Sequence, residues 1–158
     1  MQTQSRRNLL KNAAAAAAGS AALVASAQAQ TTGKLEKKAY AAKTNVDNAT
    51  AAPPLFSSAV SYGNLLFLAG VGAHFKGTIE EHTKHVLDEL EQNLIGAGSS
   101  MEKVLKVNVY LSDLANYAKM NAAYAGRFGG VPPVRTTIAV VGGVPGDSLV
   151  EIDCIAAL

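Results

Sequence analysis

Apolar residues recur with two different spacings along residues 55–158, and the change between these spacings predicts a domain of strands and two helices. Two short apolar segments flank Gly63-Asn64, a dipeptide typical of a two-residue turn, which predicts a hairpin over residues 59–69. Residues 104–111 alternate between apolar and polar side chains, as expected for a strand with one buried face.

Caps and apolar stripes mark the two helices. Thr78-Ile79-Glu80-Glu81 has the sequence of a capping box, which predicts the start of the first helix. Its apolar stripe has three- and four-residue spacing and consists of Val86, Leu87, Leu90 and Leu94. Asp113 is the predicted cap of the second helix, whose apolar face consists of Leu114, Tyr117, Met120, Tyr124 and Phe128.

Residues 131–141 and 149–155 are predicted to be adjacent strands, joined by the glycine-rich turn 142–146. If these strands pair, Arg135 and Glu151 come to the same end of the hairpin. The element order is then β-β-α-β-α-β-β, which predicts an α+β fold with both helices on one face of a mixed sheet. The other sheet face mixes polar and apolar side chains, and this favours association with further subunits.

Arg135 and Glu151 are the strongest candidates for chemistry. The planar fork of an arginine can hold a ligand carboxylate at two points. A glutamate can act as a base toward a bound water. A partly buried charge is also costly to desolvate unless it is matched, so a structural ion pair is the alternative. The residues alone leave both interpretations open.

Residues 1–29 are predicted to be a secretory signal peptide. Arg6-Arg7 precedes an alanine-rich apolar run that ends in Ala27-Gln28-Ala29, a small-x-small cleavage site. The paired arginines favour the twin-arginine route over the ordinary secretory route, and either route leads to a periplasmic protein that begins near Gln30. Low hydrophobic periodicity predicts a linker over residues 30–54, and the folded domain then covers residues 55–158.

The charge balance of the chain changes when the signal is removed. The chain has 14 basic and 12 acidic residues, and three of the basic ones lie in residues 1–29, so the mature chain has a formal charge of −1. We therefore expect no nucleic-acid partner and, after cleavage, no membrane association.

The cysteine is not favoured as a reactive thiol, and the histidines are not favoured as metal ligands. Cys154, the single cysteine, lies in an apolar strand and is expected to be a buried core residue. His82 and His85 are three apart on a predicted helix, and His74 lies on a loop. Because no acidic residue or cysteine completes a convincing ligand set, exposed histidines are the favoured interpretation, and no metal or cofactor is expected.

Several stretches, in order, resemble the RidA/YjgF family. Residues 132–137, Pro-Pro-Val-Arg-Thr-Thr, are similar to the family pattern P-x-A-R-S-x-V. Residues 149–156, Leu-Val-Glu-Ile-Asp-Cys-Ile-Ala, are similar to V-E-I-E-x-I-A. Residues 57–67 resemble P-Y-S-Q-A-V-x-x-G-N-L-x-F, and residues 79–83 resemble I-E-E-Q-T.

The resemblance implies a homotrimer of chorismate-mutase-like domains with ligand clefts between the subunits. It implies hydrolysis, without a cofactor, of reactive 2-imino and 2-enamino acids such as 2-aminoacrylate to 2-keto acids and ammonia. Arg135 would bind the substrate carboxylate and Glu151 would position the attacking water. Four further residues would line or support the cleft: Phe56, Gly70, Asn121 and Thr137.

The chain departs from the family pattern inside this cleft. Phe56 stands where the family has tyrosine, and Thr137 stands where cysteine is frequent. Ala69 and Val71 replace two polar residues of the family's S-G-Q. These changes predict a more apolar pocket.

The leading functional hypothesis is an exported deaminase that resembles the 2-iminobutanoate/2-iminopropanoate deaminases. A non-catalytic trimer that binds a small carboxylate is the alternative from another class. The endoribonuclease or translation-inhibitor activity attributed to some members is disfavoured by the charge of the mature chain.

Overall fold

The part of the chain that the structure describes is residues 35–40 and 55–158. This structure is a computed structural model. The predicted signal peptide, residues 1–29, and most of the predicted linker lie outside the described residues.

Six strands and two α-helices make up the described part of the chain. In order they are β1 (Lys37–Tyr40), β2 (Ala59–Tyr62), β3 (Leu65–Gly72), α1 (Ile79–Gly96), β4 (Val104–Leu111), α2 (Tyr117–Tyr124), β5 (Val134–Ala139) and β6 (Val150–Ala157). From β2 onward this is the order predicted from the hydrophobic pattern, and the α+β prediction is confirmed.

The strands form one mixed sheet in the order β1-β2-β3-β6-β4-β5. The pairing of β4 with β5 is parallel, and the other pairings are antiparallel. The chain from β4 through α2 to β5 is therefore a parallel crossover, which requires a connection long enough to hold a helix.

The predicted pairing of the last two strands is wrong. β4 lies between β5 and β6 and is hydrogen-bonded to both. The crossover through α2 delivers β5 to the outer edge of β4, and β6 occupies the inner edge. Residues 140–149 therefore connect β5 to β6 across the end of β4, and they do not form a tight hairpin.

The core lies between the sheet and the helices. Alternate residues of β6 point into it, because Val150, Ile152, Cys154 and Ala156 are buried while the residues between them are half-buried. On β4 a register shift between Val104 and Lys106 interrupts the alternation. Strict alternation over residues 104–111 would place Leu105 with Val107 and Val109 in the core, but Leu105 is 50% exposed at this shift and Val104 is buried instead.

Both predicted capping residues, Thr78 and Asp113, make cap hydrogen bonds in the structure. The Thr78 side chain accepts a hydrogen bond from the backbone N–H of Glu81, and the Glu81 carboxylate accepts one from the backbone N–H of Thr78. The Asp113 side chain accepts from the backbone N–H of Ala115 at 2.9 Å. That second cap opens a short 3-10 turn, Leu114–Asn116, which leads directly into α2.

β1 is an edge strand that lies inside the segment predicted to be a linker. Its four residues pair antiparallel with β2, with Tyr40 opposite Ala59. Backbone pairing at a sheet edge needs little apolar burial of side chains, and three of the four residues of β1 are exposed. A strand of this kind carries no hydrophobic period from which it could be predicted.

None of the helices in the described ranges combines the length and the apolar composition needed to cross a membrane.

Candidate functional site

The Arg135 side chain is held by one face of α2. Its Nη2 atom donates to Asn121 Oδ1 at 2.7 Å and lies 3.5 Å from the Tyr117 hydroxyl. The guanidinium carbon lies 4.6 Å from the centre of the Tyr124 ring and 5.9 Å from that of Tyr117. A guanidinium over an aromatic face is attracted by the ring quadrupole, so the two tyrosines and the amide fix its orientation.

These four residues, Arg135, Asn121, Tyr117 and Tyr124, are called the Arg135 half-site below. An open cavity of about 540 Å³ adjoins it and is lined by Leu114, Tyr117, Arg135 and Thr137. The floor includes the Thr137 hydroxyl, which is buried and has no hydrogen-bond partner among the described residues. A small carboxylate in this cavity would meet the guanidinium beside one apolar and one phenolic side chain.

The charge of Arg135 acts on both tyrosines. The pKa of the Tyr117 hydroxyl is lowered, first by the hydrogen bond from Asn121 and then by Arg135. Burial raises the pKa of Tyr124, and Arg135 opposes that rise. The Tyr117 phenol is therefore a better hydrogen-bond donor than an ordinary tyrosine, and it lies at the mouth of the cavity.

Glu151 projects from the sheet face that carries no helix. It lies opposite Gly72 of β3 and Tyr110 of β4. Its carboxylate lies directly on the backbone of Gly70, and a Cβ atom at that position would overlap it. Gly70 can present its backbone this way because a register shift between Leu68 and Val71 lets β3 bulge.

A polar cluster stands next to Glu151 on the same face. Asp153 accepts hydrogen bonds from Asn108 Nδ2 at 2.8 Å and from the Tyr110 hydroxyl at 2.9 Å. The bond to Asp153, with burial as a second cause, raises the pKa of Tyr110. Glu151 and Gly70, with Tyr110 and Asp153 beside them, are called the Glu151 half-site. Tyr110, Glu151 and Asp153 border a cavity of about 280 Å³ together with the loop residues Val140, Gly143, Val144 and Pro145.

The two half-sites lie on opposite faces of the sheet. Arg135 pairs with the core residue Val107 and contacts α2, whereas Glu151 alternates with the core residues of β6. Two strand spacings and three residues along β4 separate them, so their Cα atoms are roughly 14 Å apart. The prediction that they meet at one end of a hairpin is wrong for a single chain, and no ion pair joins them within the described part.

The other predicted residues divide between the half-sites. Asn121 and Thr137 lie with Arg135, and Gly70 lies with Glu151. Phe56 precedes β2, is 71% exposed, and lines neither cavity. Tyr117 and Tyr124 were predicted only as part of an apolar stripe. Their spacing of four and three residues from Asn121 is the signal that places all three on one helix face.

The described residues contain no group of three or more histidine, cysteine or acidic side chains that could hold a metal ion. His82, which was expected to be exposed, is instead 1% exposed. Its ring lies edge-on to Phe75, with the ring centres 4.8 Å apart.

Comparisons with known proteins agree with this fold. The family described as Endoribonuclease L-PSP matches residues 46–158. A RutC family protein of Pyrococcus horikoshii is 41% identical over 108 residues, which is 64% of this chain and 85% of that protein. Reactive Intermediate Deaminase A, chloroplastic, of Arabidopsis thaliana is 32% identical over 72% of this chain and 64% of its own length.

Solved structures give the same result. A putative endoribonuclease L-PSP from Entamoeba histolytica has a TM-score of 0.62 at 33% identity, covering 68% of this chain and 90% of that one. A member of the YjgF protein family from Neisseria meningitidis has a TM-score of 0.62 at 31% identity, covering 67% of this chain and 89% of that one.

Proposed function

Because the chain belongs to the Endoribonuclease L-PSP family, the RidA/YjgF family of the comparisons above, we propose that it is a deaminase of reactive 2-imino and 2-enamino acids. The observation that carries this proposal is the Arg135 half-site. Its guanidinium is oriented by Asn121 and two tyrosine rings at the wall of an open cavity. The similarity to a plant protein named Reactive Intermediate Deaminase supports the reaction type.

In the proposed reaction Arg135 holds the carboxylate of a 2-imino acid. The imine reacts in its protonated form, the iminium ion. Glu151 takes a proton from a water, whose oxygen bonds to the imine carbon while the C=N pair passes to the nitrogen, giving a neutral carbinolamine. Glu151 then returns that proton to the nitrogen, the C–N bond breaks to release ammonia, and Glu151 takes up the hydroxyl proton as the keto C=O forms. The products are a 2-keto acid and ammonia, so the step needs one water and no oxidant or reductant. A 2-enamino acid enters the same path after it tautomerises to the imine.

Two copies of the chain are required to bring the two groups together. Arg135 and Glu151 lie on opposite faces of one sheet, so one cleft must take the arginine of one copy and the glutamate of its neighbour. The helix-free face supports association, since Phe67 and Ile138 are exposed on it around the Asp153 cluster. A closed homotrimer with three such clefts is the assembly that we propose.

We also propose that this deaminase works outside the cytoplasm. The support is the paired arginines, the alanine-rich run and the cleavage site of residues 1–29. Mass spectrometry of the periplasmic fraction is expected to find a chain that begins near Gln30. A mature pool that retains Met1 would exclude this location.

The test of the proposed reaction is ammonia release from a 2-imino acid generated in the assay by an amino-acid oxidase. Arg135→Lys keeps the charge and loses the two-point geometry, so binding of the substrate is expected to weaken. Glu151→Gln keeps the size and loses the base, so turnover is expected to fall by on the order of a hundredfold while binding is kept.

A mixture of two variants, one without the arginine and one without the glutamate, tests the shared cleft. If Arg135 and Glu151 come from neighbouring copies, randomly mixed trimers of Arg135→Ala and Glu151→Gln regain about a quarter of the wild-type clefts. Activity after unfolding and refolding of the mixture supports the shared site, and no recovery contradicts it. Tight binding of 2-keto acids without any ammonia release would instead identify the chain as a carboxylate-binding protein.

A further inference from the structure

His82 joins two loops beside the Glu151 half-site. One loop, residues 73–78, connects β3 to α1, and the other, residues 140–149, connects β5 to β6. The backbone N–H of Leu149 donates to His82 Nδ1 at 3.1 Å, and His82 Nε2 lies 2.9 Å from the carbonyl oxygen of Phe75. The imidazole is fully buried between the two loops.

The partners of His82 determine its tautomer. A backbone N–H can only donate and a carbonyl oxygen can only accept. Nδ1 must therefore be the bare nitrogen that accepts from Leu149, and Nε2 must carry the proton that is donated to Phe75. Both bonds require the neutral ring, because a proton on Nδ1 would face the N–H of Leu149 and leave that donor without an acceptor.

The same two loops are joined at a second point. Ser148, which is also buried, accepts from the backbone N–H of Ala73 at 2.9 Å and donates to the carbonyl oxygen of Val150 at 2.6 Å. The loop 140–149 packs closely on the first loop at Gly146. This residue has a φ of 71°, and a Cβ atom added there would overlap the His74 ring. His82 therefore acts on a loop that also contacts residues 73–78 through Ser148 and Gly146.

The path from His82 to Glu151 is short. Leu149 is fixed on its N–H by His82 and on its carbonyl by the backbone N–H of Ser112 at 3.1 Å. Two residues further on, Glu151 lies opposite Gly72 and places its carboxylate on Gly70. A shift of Leu149 would change where β6 begins and thereby move the carboxylate relative to β3.

We propose that His82 is a positioning residue, which holds the start of β6, and with it the Glu151 carboxylate, by clamping Leu149 to the loop that follows β3. This inference rests on the proposed role of Glu151 as the base, and it assigns a function to a histidine that makes no contact with the proposed substrate. A misplacement of about 1 Å at a reacting group can cost on the order of a hundredfold in rate, so a loosened clamp is expected to act on turnover.

The variants are His82→Gln and His82→Leu, with His85→Leu as the matched control. Glutamine offers one acceptor and one donor and can keep both bonds, whereas leucine fills the space and keeps neither. His85 is exposed on the same helix, lies 3.5 Å from Glu89 and packs its ring edge-on against Phe75, so it controls for lost packing on that loop. We expect His82→Leu to lower kcat roughly tenfold while KM stays within about twofold, and His82→Gln to recover most of the loss.

Rescue by His82→Gln separates positioning from simple packing. Both variants remove the imidazole, and only glutamine can keep the hydrogen bonds to Leu149 and Phe75. Equal losses of kcat in His82→Gln and His82→Leu would overturn the proposal. Where His82→Leu does not fold, fast hydrogen exchange at the Leu149 amide of the wild type overturns it.

A readout without catalysis keeps this proposal separate from the proposed reaction. In the wild type, NMR is expected to show a bare His82 Nδ1 and slow hydrogen exchange at the Leu149 amide. The carboxyl carbon signal of Glu151 is expected to move in His82→Leu and to stay in place in His85→Leu. An unchanged Glu151 signal in a folded His82→Leu variant overturns the clamp, whether or not the protein hydrolyses imines.

Discussion

The carboxylate of Glu151 lies against the bare backbone of Gly70, in a position that a side chain at residue 70 would fill. This contact depends on a bulge in β3 and on the register of β3 with β6. It fixes the position of the Glu151 carboxylate on the helix-free face of the sheet. The glycine is therefore part of the Glu151 half-site for a steric reason.

Gly70→Ala is expected to displace the Glu151 carboxylate and to lower kcat by about tenfold or more, with little change in the binding of a 2-keto acid at Arg135. Gly96→Ala is the control, because no atom lies within 4 Å of a Cβ added there and the residue is helical. Steady-state kinetics and calorimetric binding measure the two effects. A folded Gly70→Ala protein with wild-type kcat would contradict the assigned contact.

Asn121→Asp is expected to weaken carboxylate binding more than Asn121→Ala does. The amide oxygen accepts from Arg135 Nη2 at 2.7 Å, so an aspartate in its place would pair with the guanidinium and compete with the ligand for its charge. We expect about tenfold loss of affinity for a small 2-keto acid in Asn121→Asp and a smaller loss in Asn121→Ala. Titration calorimetry at low salt tests this order, and the reverse order would show that the amide only fills space.

The Asp88 carboxylate is expected to contribute to stability only above acidic pH. Its pKa is lowered, first by the hydrogen bond from Lys84 at 2.7 Å and also by Arg127 at 2.7 Å. A folded-state pKa below the unfolded value stabilises the protein above the unfolded pKa, about 3.9, and this contribution is lost as the pH falls through the folded value.

Asp88→Asn is therefore expected to lower the free energy of unfolding by only a few tenths of a kcal/mol at pH 7, because the group is half exposed. The difference between Asp88→Asn and the wild type is expected to shrink as the pH falls below about 4 and to vanish below the lowered pKa of Asp88 in the folded protein. Urea unfolding at several pH values measures it. A difference that stays constant down to pH 3 would assign the effect to packing instead of charge.

Cys154 is expected to resist alkylation in the folded protein. It is 1% exposed in the core, and burial raises the pKa of its thiol to about 12. The reactive species is the thiolate, so neither access nor ionisation favours reaction at pH 8. Mass spectrometry after iodoacetamide treatment is expected to show label only in denaturant, and rapid labelling of the native protein would reveal local opening of β6.

Local sequence signals were sufficient to predict the strands and helices from β2 onward and part of the Arg135 half-site. The capping box at Thr78 and the stripe through Leu94 set α1, and both are local patterns of backbone and side chain. The Arg135 strand followed from the apolar pattern and Asn121 from the family resemblance, while Tyr117 and Tyr124 were assigned to the core stripe. An apolar stripe does not distinguish a ring that packs in the core from one that stacks on a guanidinium.

The sequence by itself determined the order of strands and helices from β2 onward, that the fold is α+β, and that Cys154 is buried, because these follow from periods of two and 3.6 residues and from caps. Only the tertiary structure decided that β4 lies between β5 and β6. Strand neighbours depend on pairing between residues far apart in the chain, and the apolar pattern of a strand is the same for either neighbour. The registers of β5 and β6 with β4 place Arg135 and Glu151 on opposite faces of the sheet, and the packing of two distant loops buries His82.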